Sequence, residues 1–200
     1  MSTAIADDFK HGDNFKHGEN VVIEPDVVVG DNVTLGHFIV LKSGTRFGSN
    51  INFADFCCTT GACILGDNIN VRTNTVVSKG VIAEDNVYIG PGVMTNHTKH
   101  VTHCREGGPS QIYVTRLSYG SIIGASVWIM AGVNIGKNVV VGGGVLIVKN
   151  IPEPGIYVGS PPRMLSILPE NMVVSGESQK YEFAPEIVEK YLAGIEELGA

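Results

Sequence analysis

Three histidines spaced three residues apart, His97, His100 and His103, are followed at once by Cys104 in this 200-residue chain. A neutral imidazole can take a proton from a hydroxyl or amine at pH 7, because its unperturbed pKa lies near 6.5. Imidazoles and a thiolate are also good zinc ligands. Residue types alone therefore leave proton transfer and metal binding both open. Asn96, beside the first histidine, adds a side-chain amide that can orient a polar partner. The chain shows no serine or cysteine in a recognisable nucleophile elbow, so direct transfer fits better than a covalent intermediate.

Something rigid must hold this group, and the sequence on either side of it is a repeat. From Phe9 the chain divides into fifteen consecutive hexads, FKHGDN through VMTNHT. Their third positions from Ile23 to Ile89 are apolar in eleven of twelve cases, where a 44% hydrophobic composition would give about five. The sixth position is Asn, Gly or Asp in eleven of the fifteen, the types that enter the left-handed region at least cost. Each hexad thus reads as a short strand and a corner. Asn14, Asn32, Asn50, Asn68 and Asn86 recur once in every third hexad, so three hexads make one coil. Such a coil is a triangular prism whose sides are parallel sheets with rungs about 4.8 Å apart. The spacing does not suit a helix, which needs a period near 3.6.

The repeat resumes at SIIGAS and runs through VLIVKN, with Ile123, Ile129, Ile135, Val141 and Ile147 inward. Residues 99–120 interrupt it and are read as an extruded loop, the usual carrier of function on a rigid scaffold. After Ile151, the Pro- and Gly-rich IPEPGIYVGSPPRML leaves the prism and caps its end. Ile187, Tyr191, Ile195 and Leu198 stand at helical spacing after Pro185, predicting one amphipathic helix over 185–198 that packs on the prism or a neighbouring subunit. The domain division is 1–165 for the prism and 166–200 for the tail and helix.

Composition excludes several other roles. Fourteen Lys and Arg against twenty Asp and Glu, a net charge of -6, oppose nucleic-acid binding. MSTAIADDFKHGDNF has no apolar signal region and no later stretch reaches membrane-spanning length, so a cytoplasmic protein with no membrane partner is expected. Cys57, Cys58, Cys63 and Cys104 lack metal-knuckle or disulfide-framework spacing and are read as reduced thiols.

The unbroken hexads, ending in VKNIPEPGIYVGSPPRML, resemble the hexapeptide-repeat acyltransferases over residues 9–165. That resemblance implies an all-β, left-handed parallel β-helix with an extruded loop and a short C-terminal α-helix. The hand comes from the resemblance alone, since the ordinary crossover rule favours right-handed connections. It also implies a homotrimer with the donor, acetyl-coenzyme A, in the groove between prisms, and no metal. Residues 71–96, VRTNTVVSKGVIAEDNVYIGPGVMTN, are similar to the segment before the active-site loop of nucleotide-sugar N-acetyltransferases, implying an amino-deoxysugar acceptor. In galactoside and maltose O-acetyltransferases a GPxV turn precedes the catalytic His by ten residues from its Gly, and Gly90 stands at that offset from His100. His100 is therefore the expected base, with His97 its runner-up and Asn96 positioning the acceptor. The helix those O-acetyltransferases carry ahead of the prism has no counterpart before Phe9, whereas VMTNH departs from the aromatic-Thr-Asn motif of the nucleotide-sugar branch.

For the donor, the resemblance implies contacts from Ala131, Gly132, Gly143 and Gly144, although corner geometry alone could demand those small residues. Lys149 and Arg163 would meet its phosphates. Trp128, pointing outward, would line the donor groove or fill a subunit interface. Two alternatives stand beside acyl transfer: a zinc enzyme like the gamma-class carbonic anhydrases, which share the prism but draw their histidines from separate coils, and a scaffold without catalysis.

Overall fold

A computed structural model describes residues 3–100, 111–192 and 195–196. The chain winds into three parallel sheets, here called A, B and C, of eight, seven and nine strands among the described residues. Strands are mostly two residues long, and each pairs with the strand one coil away; Val22 of sheet A meets Val40, Val28 of sheet B meets Arg46, and Thr34 of sheet C meets Asn52. In all three pairs the partners stand three hexads apart, the period of the Asn series.

Both the first and third residue of each hexad turn inward. Val21 and Ile23, Val33 and Leu35, and Ile51 and Phe53 are each at most 2% exposed, and the core runs continuously from these coils to Ile147. Burying each such side chain contributes about 1.5–3 kcal/mol, which is how two-residue strands hold without long ladders. At the corners, the sixth residues adopt φ near +60°: Asn14, Asn32, Asn50, Asn68 and Asn86 among them. Asn14, Asn32 and Asn50 each donate from Nδ2 to Oδ1 of the next Asn, over 2.9, 3.1 and 3.0 Å, so the column stabilises its own strained conformation. Phe38 and Phe56 take the same φ despite their bulk and stack face to face, 5.0 Å between centroids.

At the N-terminal coil the inward positions are His11 and His17, interleaved with Phe9 and Phe15 at ring distances of 5.1 to 5.8 Å. His11 and His17 each pair Nδ1 with the following glycine carbonyl at 2.8 Å. His37 Nδ1 accepts the Glu19 N–H. All three make their hydrogen bonds to backbone within the first coils of the prism.

Three boundaries differ from the sequence reading. Strand Thr115–Leu117 already belongs to sheet B, paired with Val81–Ala83, so the repeat resumes inside the segment read as loop; Leu117 is its buried third position. Gly155–Val158 adds one more strand to sheet C before the antiparallel Arg163–Ser166 closes the end. The helix spans only Pro185–Tyr191. Beyond it Leu192 is fully buried, and Ile195–Glu196 pairs with Ile112–Tyr113, because an open strand edge satisfies its backbone as a helix would.

The tail runs back along the outside of sheet B. Tyr181 and Phe183 pack on Ile64, Ile82 and Val114, and Ile187 and Leu192 on Ala62 and Ile112. Among the described residues no helix is long and apolar enough to cross a membrane.

Candidate active site

Asn96, His97, Ala131, Gly132 and Lys149 lie along one edge of the prism, the corner between sheets A and B. Strand Met94–Thr95 delivers the chain to it. Asn96 is still on the prism, its N–H donating to Ile129 O at 3.0 Å and its Nδ2 lying 3.5 Å from Met130 Sδ on the next coil. At His97 the chain departs instead of turning into sheet B. It returns at Tyr113, whose N–H donates to His97 O at 3.0 Å and closes the neck of the excursion. One coil below, Gly80 has φ +82, and a Cβ there would lie 2.9 Å from Tyr113 O, so this neck passes over a position that only glycine fills without displacement.

His97 is half-buried at this neck. Burial and, next, the Lys79 ammonium hold its imidazolium below the ordinary histidine pKa, so the ring is neutral at pH 7. A neutral ring can accept a proton or a hydrogen bond from an acceptor group. His100 is exposed, three residues farther out. His103 and Cys104 lie outside the described residues.

Above the neck, the same corner continues through Ala131 and Gly132, then, one coil farther on, through Val148, Lys149 and Asn150. Gly132 is buried, with φ +76, and its N–H donates to Thr115 Oγ1 at 3.0 Å; Ala131 is 1% exposed. A cavity of about 270 Å³ opens at the top of this corner, lined by Val148, Lys149, Pro152, Tyr157, Pro161 and Pro162. Its apolar walls with one cation at the rim suit a pantetheine arm and a phosphate. Arg163 is exposed on the strand that follows Pro162. Gly143 and Gly144 sit elsewhere, on the corner between sheets C and A, where a Cβ on Gly144 would meet nothing within 4 Å. Trp128 projects from the outer face of the penultimate strand of sheet A, 48% exposed. The structure thus brings Asn96, His97, Ala131, Gly132 and Lys149 to one edge, and separates Gly143, Gly144 and Trp128 from them within the single chain.

Lys79, Tyr113 and Met130 were not singled out in the sequence. Spacing held a signal for the first: Lys79 precedes His97 by one full coil of three hexads.

Among known proteins, no family model matches the chain. It is 35% identical over 83 residues to the galactoside O-acetyltransferase of Escherichia coli K12, covering 40% of this chain and 41% of that protein. To serine acetyltransferase 2 of Arabidopsis thaliana it is 28% identical over 91 residues, 46% of this chain and 28% of the relative. The matches therefore span less than half the length of either relative. Among solved structures, a variant of the Bacillus cereus N-acyltransferase AntD, in complex with dTDP and coenzyme A, superposes with a TM-score of 0.50 at 17% identity, covering 78% of this chain and 86% of that one. The fold is the parallel β-solenoid that this N-acyltransferase also has. At this identity the superposition speaks for the fold alone, and the sequence similarity is to acetyltransferases.

Proposed function

We propose that the chain is a coenzyme A-dependent acyltransferase acting on an amino group of a nucleotide-linked amino-deoxysugar. The observation that carries this reading is the shared corner: neutral His97 and the emerging His100 lie at the loop neck, and the apolar cavity edged by Lys149 opens two coils above. Bound acetyl-coenzyme A would supply a thioester carbonyl. His100 takes the proton from the acceptor nitrogen as the new C–N bond forms and the C–S bond breaks, then returns it to the departing sulfur. Its exposure in the isolated chain is compatible with this role, since catalytic contacts often tighten only when substrates are bound. His97, held by Tyr113, orients the acceptor together with Asn96. Lys149 and Arg163 meet the donor phosphates, and Ala131 and Gly132 let its arm approach the corner.

The active unit is a homotrimer in this reading, supported by the outer face of sheet A. Val22, Val40, Val76, Met94, Trp128 and Leu146 project from it in one column that is apolar along nearly its whole length, whereas the corresponding column of sheet C is polar at Lys16, Thr34, Asn52 and Asn70 and turns apolar only from Tyr88 onward. Sheet B is covered by its own tail, whereas among the described residues no tail residue joins an apolar cluster with the outer face of sheet A. Packing that face against a neighbour would bring Trp128, Gly143 and Gly144 of one chain toward the corner of another.

A hydroxyl acceptor is the second reading, favoured by the similarity to the galactoside O-acetyltransferase and the ten-residue offset from Gly90 to His100. Calorimetry with acetyl-coenzyme A, followed by incubation with a panel of nucleotide-linked aminosugars and plain sugars, tests both. An acylated product resistant to alkaline hydroxylamine is an amide and supports the first; one that yields a hydroxamate is an ester and supports the second. If no coenzyme A species binds, the chain is a scaffold.

A further inference from the structure

Lys79 stands on the coil beneath His97, and Lys99 two residues beyond His97, in a protein whose net charge is -6. Lys79 occupies on its coil the place that His97 occupies one repeat later, and its backbone N–H is fixed by Thr60 Oγ1 at 3.1 Å. Its side chain is half-buried. The other half-buried lysine, Lys42, has Glu24 at 2.5 Å, and half-buried Arg46 has Asp26 at 2.7 Å. Among the described residues, no carboxylate forms an ion pair with Lys79. The Lys79 stem packs against Gly61, which leaves its ammonium, without an ion-pair partner among the described residues, available to an anion that arrives from outside. Lys99 lies two residues beyond His97. Its Nζ lies 4.6 Å from the centroid of the Tyr113 ring, and Tyr113 is the residue whose N–H holds His97 O. Lys99 is therefore tied to the strand that holds the His97 backbone and Lys79 to the coil beneath it, and neither is on the coils that form the cavity around Lys149.

We infer that Lys79 and Lys99 bind a phosphate or diphosphate of the acceptor and hold it beside His97. The inference rests on the acyl-transfer reading above and gives that site its second substrate contact. Phosphates could come from either substrate, because coenzyme A also carries a diphosphate. The position of the lysines, on the loop neck and the coil below it, assigns them to the acceptor.

Inorganic pyrophosphate is the probe, with the His97 ring resonance, assigned by loss in His97→Gln, as the readout. An anion at Lys79 offsets the positive charge beside the imidazole, so pyrophosphate should raise the His97 pKa in the native chain. The rise should disappear in Lys79→Gln, diminish in Lys99→Gln and persist in Lys79→Arg. Coenzyme A affinity, measured by calorimetry, should stay within about twofold in both glutamine variants, corresponding to less than about 0.5 kcal/mol. No response of His97 to pyrophosphate, or a response that survives Lys79→Gln, would overturn the inference. So would a tenfold loss of coenzyme A affinity in either variant, which would assign the lysines to the donor. A His97 response in a protein that binds no coenzyme A would leave the anion site standing and remove the acyl-transfer reading instead.

Discussion

Two histidines three residues apart experience different environments, and their expected contributions differ accordingly. Replacing a general base typically costs about 10² to 10⁴ in rate. His100→Ala should lower turnover in that range while acetyl-coenzyme A affinity, read by calorimetry, hardly changes. His97→Ala should act chiefly on acceptor KM, because the ring is assigned to orientation. The reverse pattern, with His97→Ala costing turnover and His100→Ala harmless, would move the base to His97 and leave acyl transfer intact. Its pH profile would then reveal the swap: with burial and Lys79 holding the His97 pKa low, the acid limb of the rate would fall below the ordinary histidine range. Since the proton moves between acceptor, imidazole and sulfur, no Lewis acid is required. Activity should survive exhaustive chelation, and loss of activity together with stoichiometric zinc would restore the zinc-enzyme alternative. Two of the buried thiols take no part in this chemistry: burial pushes Cys57 up to about 11 and Cys63 up to about 12.

At the scale of elements, the tail is the part whose attachment depends on charge. Asp85 accepts from Tyr181 OH and from Ser178 Oγ, the latter at 2.7 Å, and Asp26 accepts from Arg46 and from Tyr191 OH at 3.0 Å. Burial alone would raise both carboxyl pKa values, but these hydrogen bonds outweigh it and hold them below the usual carboxylate value of 3.8. A depressed carboxylate pKa favours the folded form once pH exceeds the unfolded value, and that contribution is lost as pH falls through the folded value. The tail should accordingly loosen from sheet B below about pH 4. Hydrogen exchange at Ile187 and Leu192 should rise there ahead of the core, and Asp85→Asn should reduce the pH dependence of Tm. An unchanged pH dependence in that variant would mean that Asp85 does not anchor the tail. The helix length also belongs to this scale. Ile187 and Tyr191 fit the helical spacing, yet the expected continuation to Leu198 competes with the open edge of Ile112–Tyr113, which takes Ile195–Glu196 as a strand.

For the whole molecule, the proposed trimer puts the apolar column on sheet A at its interface. Light scattering should report three chains per particle. Val76→Glu and Val40→Glu should reduce that number, since each would place an unpaired charge in an apolar contact. An active native monomer would contradict the trimer, and a trimer insensitive to both substitutions would place its interface on another face.

By itself the sequence determined the prism, because hexads report a strictly local rule: two residues inward, one out, and a corner at which Asn, Gly or Asp relieves a positive φ. It also marked His97, His100 and Asn96, since these follow the last regular strand before the repeat breaks. It determined less wherever a side chain's role depends on the neighbouring coil. Lys79 resembles any other surface lysine until the winding sets it beneath His97. Ala131 and Gly143 look equally suited to a donor arm until the corners separate them. The tail's parting from its helical pattern was equally hidden, because the competing partner, Ile112–Tyr113, lies far earlier in the chain and becomes a neighbour only once the tail has folded back along sheet B.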